Sequence, residues 1–231
     1  MLSESLAFEA CADLANEILE ARGISDRYTG PQLLSEFVGQ NFRGMISSLK
    51  SKYNYEMSAA ELEGYVSKEE DKVIAKLKAA LKPCEGVDEE LVRLEKEGGY
   101  LMAVVSSSAL RRLKASVEKT DQAKYFGDRI YSAATSLEKP TSKPDPAVYL
   151  HAMQKLGVEP QECVAIEDSK SGATAAVRAG ILTVGYVGSY EVGEQKEMEE
   201  VLRKAGCKVL MREWKEFKGI LEKIQQGGLE N

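Results

Sequence analysis

The 231-residue sequence has little of what marks metal-thiolate, disulfide-rich or membrane proteins. It contains one histidine and four cysteines that stand far apart, with no Cys-x-x-Cys pair and no Cys/His cluster. This spacing predicts reduced, structural thiols rather than a zinc site or a disulfide framework. No apolar run approaches the ~18 residues that a membrane-spanning helix needs, and the acidic N-terminus suits neither a signal peptide nor a transit peptide. We therefore expect a cytoplasmic protein with no membrane partner.

Dense basic clusters are absent as well. The net charge is −6, and the lysines and arginines form no block of the kind that binds nucleic acid or anionic lipid. With 43% hydrophobic residues, the chain can bury one large core or two small ones. We expect a monomer or weak dimer with no nucleic-acid partner.

The hydrophobic pattern of the sequence changes near residue 82. Residues 4–82 predict helices throughout, because apolar residues recur at helical spacing and no strand-like run interrupts them. Beyond Gly86, short apolar runs alternate with helices. The predicted strands of this second part are Tyr100–Val105, Arg129–Ala133, Cys163–Ile166, Ile181–Val187 and Lys208–Met211. Such alternation is typical of an α/β fold with a Rossmann-like, doubly wound parallel sheet, here preceded by a separate helical unit.

Polar side chains follow two of these strands and precede one helix. Ser106 and Ser107 come after the strand YLMAVV, Glu167 and Asp168 come after CVAI, and Lys143 precedes the helix that opens at Pro146. The carboxyl ends of parallel strands share one edge of a sheet, where ligands bind. A strand-end serine beside a helix N-terminus can hold a phosphate, and a lysine adds positive charge. Adjacent carboxylates suit Mg²⁺, so the pattern predicts a phosphate and magnesium site.

Each feature has a structural alternative when it is taken alone. Acidic residues favour the first turn of a helix, so Glu167 and Asp168 could be a solvated helix start. Serines before a helix are commonly capping residues, and Lys143 could be an ordinary surface lysine. His151, the one histidine, is interpreted as structural. The joint order, spacing and placement of these groups favour the site.

Three segments in this order resemble motifs of the haloacid dehalogenase superfamily, in the branch that includes β-phosphoglucomutase and many sugar-phosphate phosphatases. They are VVSSS at Val104–Ser108, SKPDPAVY at Ser142–Tyr149 and VAIEDSKSGATAAVRAG at Val164–Gly180. The resemblance implies that Ser106 and Lys143 hold the phosphoryl group and that Glu167 and Asp168 bind Mg²⁺. It also implies a helical cap at 4–82 inserted into an α/β core formed by 83–231 together with residues 1–3.

The family's first motif has no counterpart in the sequence. Members carry an aspartate nucleophile at the end of the first core strand, in a pattern like DxDGxLxxSE. Leu2, Ser3 and Glu4 resemble the tail of that pattern. We expect the chain to be shortened upstream, so that the first core strand is missing. The alternative is a diverged relative without catalytic activity.

The cap segment FVGQNFRGM at Phe37–Met45 resembles the loop that contacts substrate in relatives. It makes Asn41 a candidate for binding sugar hydroxyls and Arg43 a candidate for a second anionic group, while Gly39 would serve a tight turn. Ser107 is the third candidate for substrate binding. For Arg43, a solvated helix face is the alternative.

Together, the residues and the resemblance predict a Mg²⁺-dependent phosphatase of a small phosphorylated metabolite, a sugar or polyol phosphate. Two alternatives stay open. One is a catalytically inactive binding or regulatory protein that keeps the anion pocket, and the other is a phosphosugar mutase of the same branch.

Overall fold

A computed structural model describes residues 3–37 and 40–228. The turn predicted at Gly39, and residues 1–2 and 229–231, lie outside this part of the chain. The chain divides into two compact units, with the boundary between Lys82 and Pro83. Helices alternate with parallel strands in the second unit, so the predicted α/β class is confirmed.

The first unit consists of helices alone in the residues that are described. They are α1 (Ser3–Glu20), α2 (Gly30–Glu36), α3 (Phe42–Tyr53) and α4 (Ala59–Ala80). Helix α1 packs against α2 and α4. Its apolar face supplies Leu14, Ile18 and Leu19, which are fully buried, as the helical spacing of apolar residues predicts.

Local capping explains where these helices begin and end. Thr29 and Gln32 form a reciprocal capping box at the start of α2, with Pro31 in its first turn. Ser58 accepts a hydrogen bond from the Glu61 N–H and starts α4. These side chains satisfy N–H groups that have no partner within the helix.

The second unit contains five short strands and seven helices among the residues described from Pro83 to Gly228. In chain order, the elements are α5 (Val87–Glu97), β1 (Val104–Ser106), α6 (Leu110–Lys119), α7 (Ala123–Phe126), β2 (Ile130–Ser132), α8 (Ala147–Leu156), β3 (Val164–Glu167), α9 (Lys170–Arg178), β4 (Leu182–Tyr186), α10 (Val192–Lys204), β5 (Val209–Met211) and α11 (Phe217–Gln225).

All strand pairs of this unit are parallel. Strand β1 pairs with β2, and β3, β4 and β5 form a second sheet in that order. Strand β4 is buried along its whole length, as expected for a strand covered on both faces. In the described part of the chain, β1 and β3 are not paired with each other. The predicted loss of a first core strand stays a prediction.

Three details of the sequence interpretation were wrong. The apolar run from Tyr100 forms a strand only at Val104–Ser106, where it pairs with β2, and Leu101 in its first half is 62% exposed. The sequence predicts a helix with a serine N-cap at Ser108–Glu118, but α6 begins after Ala109 without a side-chain cap. Helix α10 was not predicted, since its sequence is largely polar and only Leu202 is buried.

None of the described helices has the length and apolar content that crossing a bilayer requires.

Candidate active site

The strand ends bring two of the predicted groups together through Lys143. This residue lies in the loop before α8, and its Nζ donates a hydrogen bond to the Val105 carbonyl at 2.9 Å. The same Nζ forms an ion pair with Glu167 Oε1, at the end of β3. Both side chains are about nine-tenths buried, at 9% and 8% exposure. Lys143 therefore links the end of β1 to the end of β3.

The geometry of β1 explains why the Val105 carbonyl is available to Lys143. In the parallel pairing, the Val104 N–H donates to the Arg129 carbonyl, and the Ala133 N–H donates to the Ser106 carbonyl. Alternate residues of a strand direct their backbone groups to opposite sides. The Val105 carbonyl therefore faces away from β2, and the lysine ammonium satisfies it.

The serines after β1 have defined local roles. Ser106 Oγ accepts a hydrogen bond from the Ser108 N–H at 3.2 Å. Ser107 Oγ accepts one from the Lys143 N–H at 3.0 Å, which ties the serine segment to the lysine loop. Ser132, fully buried at the end of β2, donates to the Ser108 carbonyl at 2.7 Å. The Ser106 and Ser107 hydroxyls act as acceptors in these contacts and keep their own protons for donation.

Glu167 has a further partner that the sequence did not indicate. The Tyr149 hydroxyl, on α8, donates a hydrogen bond to the same Oε1 atom that Lys143 contacts. The other side of the carboxylate lies against Gly172, where any side-chain carbon would overlap with Oε2. The carboxylate is therefore confined from both sides.

Burial sets the protonation of the neighbouring groups. Burial, followed by the charge of Glu167 and the hydrogen bond to it, raises the pKa of Tyr149 well above its usual value. Burial and the charge of Glu167 also raise the pKa of Cys207 to about 11. Near neutral pH, Tyr149 is thus a protonated donor and Cys207 a neutral thiol.

Asp168 follows Glu167 but has a different environment. It is half-buried, its backbone carbonyl accepts a hydrogen bond from the Tyr190 hydroxyl at 2.9 Å, and Ser169 next to it caps α9. Its carboxylate accepts no hydrogen bond from the residues that the structure describes. No group of three or more His, Cys, Asp or Glu residues that could hold a metal is found in the same part of the chain. One carboxylate fits Mg²⁺ where water and phosphate oxygens complete its coordination.

The two cap candidates have structural contacts within the helical unit. Asn41 caps α3, with its Oδ1 accepting the Gly44 N–H at 2.9 Å. Arg43 forms a two-bond pair with Glu63, in which one bond is 2.9 Å long. The hydrogen bond to Glu63 and the charge of Glu63 raise the pKa of Arg43. The hydrogen bond from Arg43 in turn lowers the pKa of Glu63. Substrate binding by either residue stays a prediction.

Tyr149 and Gly172 were both missed as site residues. The sequence alone indicates only a packing residue at Tyr149, which lies six positions after Lys143 on the next helix. Gly172 lies in the first turn of α9, five positions after Glu167, and a glycine there signals a close approach. His151 packs edge-on against Tyr131, with ring centroids 5.9 Å apart.

Known proteins resemble the chain over most of this architecture. Residues 7–186 match the family model described as haloacid dehalogenase-like hydrolase. Hexitol phosphatase B of Escherichia coli (strain K12) is 41% identical over 95 residues, which are 41% of this chain and 41% of that protein. A phosphorylated carbohydrates phosphatase of Thermotoga maritima is 31% identical over 160 residues, which are 69% of this chain and 67% of that protein.

The chain thus aligns with less than half the length of the first of these relatives. A solved structure agrees over a longer span. The crystal structure of a protein provisionally assigned as a β-phosphoglucomutase from Thermotoga maritima has a TM-score of 0.70 and 27% identity. The match covers 96% of this chain and 93% of that one.

Proposed function

Since the chain belongs to the haloacid dehalogenase-like hydrolase family, we propose that it provides the phosphate- and Mg²⁺-holding part of a phosphatase. Its substrate would be a small phosphorylated sugar or polyol. The observation that carries the proposal is the buried Lys143, fixed between the Val105 carbonyl and Glu167. A fixed, buried ammonium between the carboxyl ends of β1 and β3 supports anion binding there.

The number of donors on Lys143 supports this role. An ammonium carries three N–H donors. One reaches the Val105 carbonyl and another reaches Glu167, so one remains for an anion. The Ser106 and Ser107 hydroxyls, which accept backbone N–H bonds, keep their protons to donate to phosphate oxygens. The three side chains could therefore hold the phosphoryl group of a substrate.

Asp168 is the carboxylate that we propose for direct contact with Mg²⁺, and Glu167 contributes to the negative potential beside it. The ion would neutralise charge on the phosphate oxygens when it is bound. Asp168 has oxygens of the hard type that Mg²⁺ prefers. In the family, an aspartate at the end of the first core strand attacks phosphorus, and we assign this role to no residue of the chain.

The substrate class rests on relatives and on two cap residues. The relatives named above are phosphatases of hexitols and of phosphorylated carbohydrates. Asn41 would offer an amide to sugar hydroxyls, and Arg43 would meet a second anionic group if it left Glu63. Both functions belong to the proposal and follow from the resemblance of the segment 37–45.

Hydrolysis of an aryl phosphate with and without Mg²⁺ tests the proposal directly. Two proteins are compared: the chain itself, and a version extended by a strand that ends in DxD. We expect Mg²⁺-dependent activity in the extended form only. Lys143→Met and Asp168→Asn should each lower that activity about 100-fold, because positioned charge is a large part of such catalysis.

Lys139→Met is the matched control, since Lys139 is an exposed lysine four residues before the site. It should leave activity unchanged. Full activity of the extended form with Lys143→Met would contradict the proposal. Binding of inorganic phosphate without turnover in both forms would support the second candidate, a binding protein.

A further inference from the structure

Two donors converge on one oxygen of Glu167. Its Oε1 accepts from the Tyr149 hydroxyl and from Lys143 Nζ, and Tyr149 is only 7% exposed. A carboxylate oxygen has two lone pairs, so these two donors use its full capacity. On the other side, Oε2 lies so close to Gly172 that a Cβ at this position would overlap with it. Glu167 thus has two donors on one oxygen and a close glycine beside the other.

From this geometry we propose that Tyr149 is a positioning residue for the anion-binding lysine. The Tyr149 hydroxyl and Lys143 both donate to the Glu167 carboxylate. Because Tyr149 takes part of the acceptor capacity of Glu167, Lys143 keeps one N–H directed to phosphate. The consequence for phosphate binding rests on the proposed function, whereas the placement of Lys143 does not.

The ring and the hydroxyl of Tyr149 can be separated by substitution. Lys143 Nζ lies 5.0 Å from the centroid of the Tyr149 ring, within the range of a cation–π contact. Tyr149→Phe keeps this ring and removes only the hydroxyl, so any effect reports the hydrogen bond to Glu167. Tyr131→Phe is the matched control, because the Tyr131 hydroxyl makes no hydrogen bond within the described residues and the ring packs on His151 in the same unit.

The placement of Lys143 can be read without any ligand. We would record the NMR signal of the Lys143 ammonium in protein with ¹⁵N-labelled lysine, assigned by its loss in Lys143→Met. We expect a sharp signal in the wild type and in Tyr131→Phe, and a shifted or broadened signal in Tyr149→Phe. A signal in Tyr149→Phe that superimposes on the wild type would overturn the proposal.

Titration with inorganic phosphate gives the functional readout. We expect the dissociation constant to rise about 5- to 10-fold in Tyr149→Phe and to stay unchanged in Tyr131→Phe, as for loss of one hydrogen bond of average net strength. An equal constant in Tyr149→Phe and the wild type would overturn the proposal. If the wild type binds no phosphate, the proposed function fails, while the NMR comparison still decides where Tyr149 acts.

A double-mutant cycle excludes a purely structural effect. Glu167→Gln keeps the shape and an acceptor oxygen but removes the charge that Tyr149 is proposed to share. In the Glu167→Gln background, Tyr149→Phe should change the Lys143 signal much less than in the wild type. The same change in both backgrounds would show that Tyr149 does not act through Glu167, and would overturn the proposal.

Discussion

Two ion pairs, one in each unit of the molecule, begin from the same chemistry and differ in their surroundings. In the α/β unit, the side chains of Lys143 and Glu167 are 9% and 8% exposed. In the helical unit, Arg43 and Glu63 are 47% and 61% exposed. The buried pair also has the Val105 carbonyl and the Tyr149 hydroxyl as partners. In the buried pair, fixed partners hold the charged groups in one arrangement. In the exposed pair, either side chain can exchange its partner for water.

The largest difference should appear when each pair loses its carboxylate. Glu167→Ala leaves the Lys143 ammonium buried without its counter-ion, and we expect a loss of about 3 kcal/mol in the free energy of unfolding. Glu63→Ala should leave the unfolding midpoint unchanged within error, because water replaces an exposed carboxylate. Urea unfolding followed by circular dichroism measures both variants.

Lys143→Met combined with Glu167→Ala is the control for the buried pair. Removing both charges should restore part of the stability that Glu167→Ala loses, since no unpaired charge is then left inside. A loss in Glu63→Ala as large as that in Glu167→Ala would contradict the contrast between the two pairs.

The same contrast shows which features of the site could be predicted from the sequence. The order of the strand-end motifs was enough to predict that Lys143 and Glu167 share one region, because parallel strands end at the same edge. Burial of the pair could not be predicted, since it depends on α8 and α9 packing beside the strands. Lys143 is followed by Pro144, and a lysine before a proline is typical of a surface turn.

Tyr149 illustrates a second limit. Its hydroxyl meets Glu167 across 18 positions of sequence, because α8 packs into the same core as the strands. Periodicity predicts which face of a helix is buried but gives no partner for a polar atom on that face. Gly172 was more accessible to prediction, because a glycine in the first turn of a helix has a poor helix propensity and needs a reason.

One glycine in each unit extends the comparison, because alanine should destabilise one unit and stabilise the other. Gly172→Ala would place a methyl group on the Glu167 carboxylate, so we expect a loss of about 1 to 3 kcal/mol and weaker phosphate binding. Gly64, exposed in the second turn of α4, has nothing within 4 Å of an added Cβ. Gly64→Ala should therefore stabilise the helical unit by up to about 1 kcal/mol.

Thermal unfolding measures both glycine variants, and inorganic phosphate titration separates their effects on the site. Gly64→Ala serves as the control, because it lies in the other unit and should not change the phosphate affinity. Unchanged phosphate affinity in Gly172→Ala would show that Glu167 can move without disturbing Lys143.

The smallest expected effect concerns Asn41, where a helix cap and a predicted substrate contact fall on one side chain. Asn41→Ala should cost about 1 kcal/mol, similar to Ser58→Ala at the start of α4, because each removes an N-cap. Asn41→Ser retains a capping oxygen and should restore most of that stability. If the amide also binds sugar hydroxyls, Asn41→Ser will still weaken the binding of a sugar phosphate while inorganic phosphate binds as before. Equal affinity for both ligands in Asn41→Ser and the wild type would make Asn41 a cap alone, and the exposed side of the helical unit would then contribute stability rather than specificity.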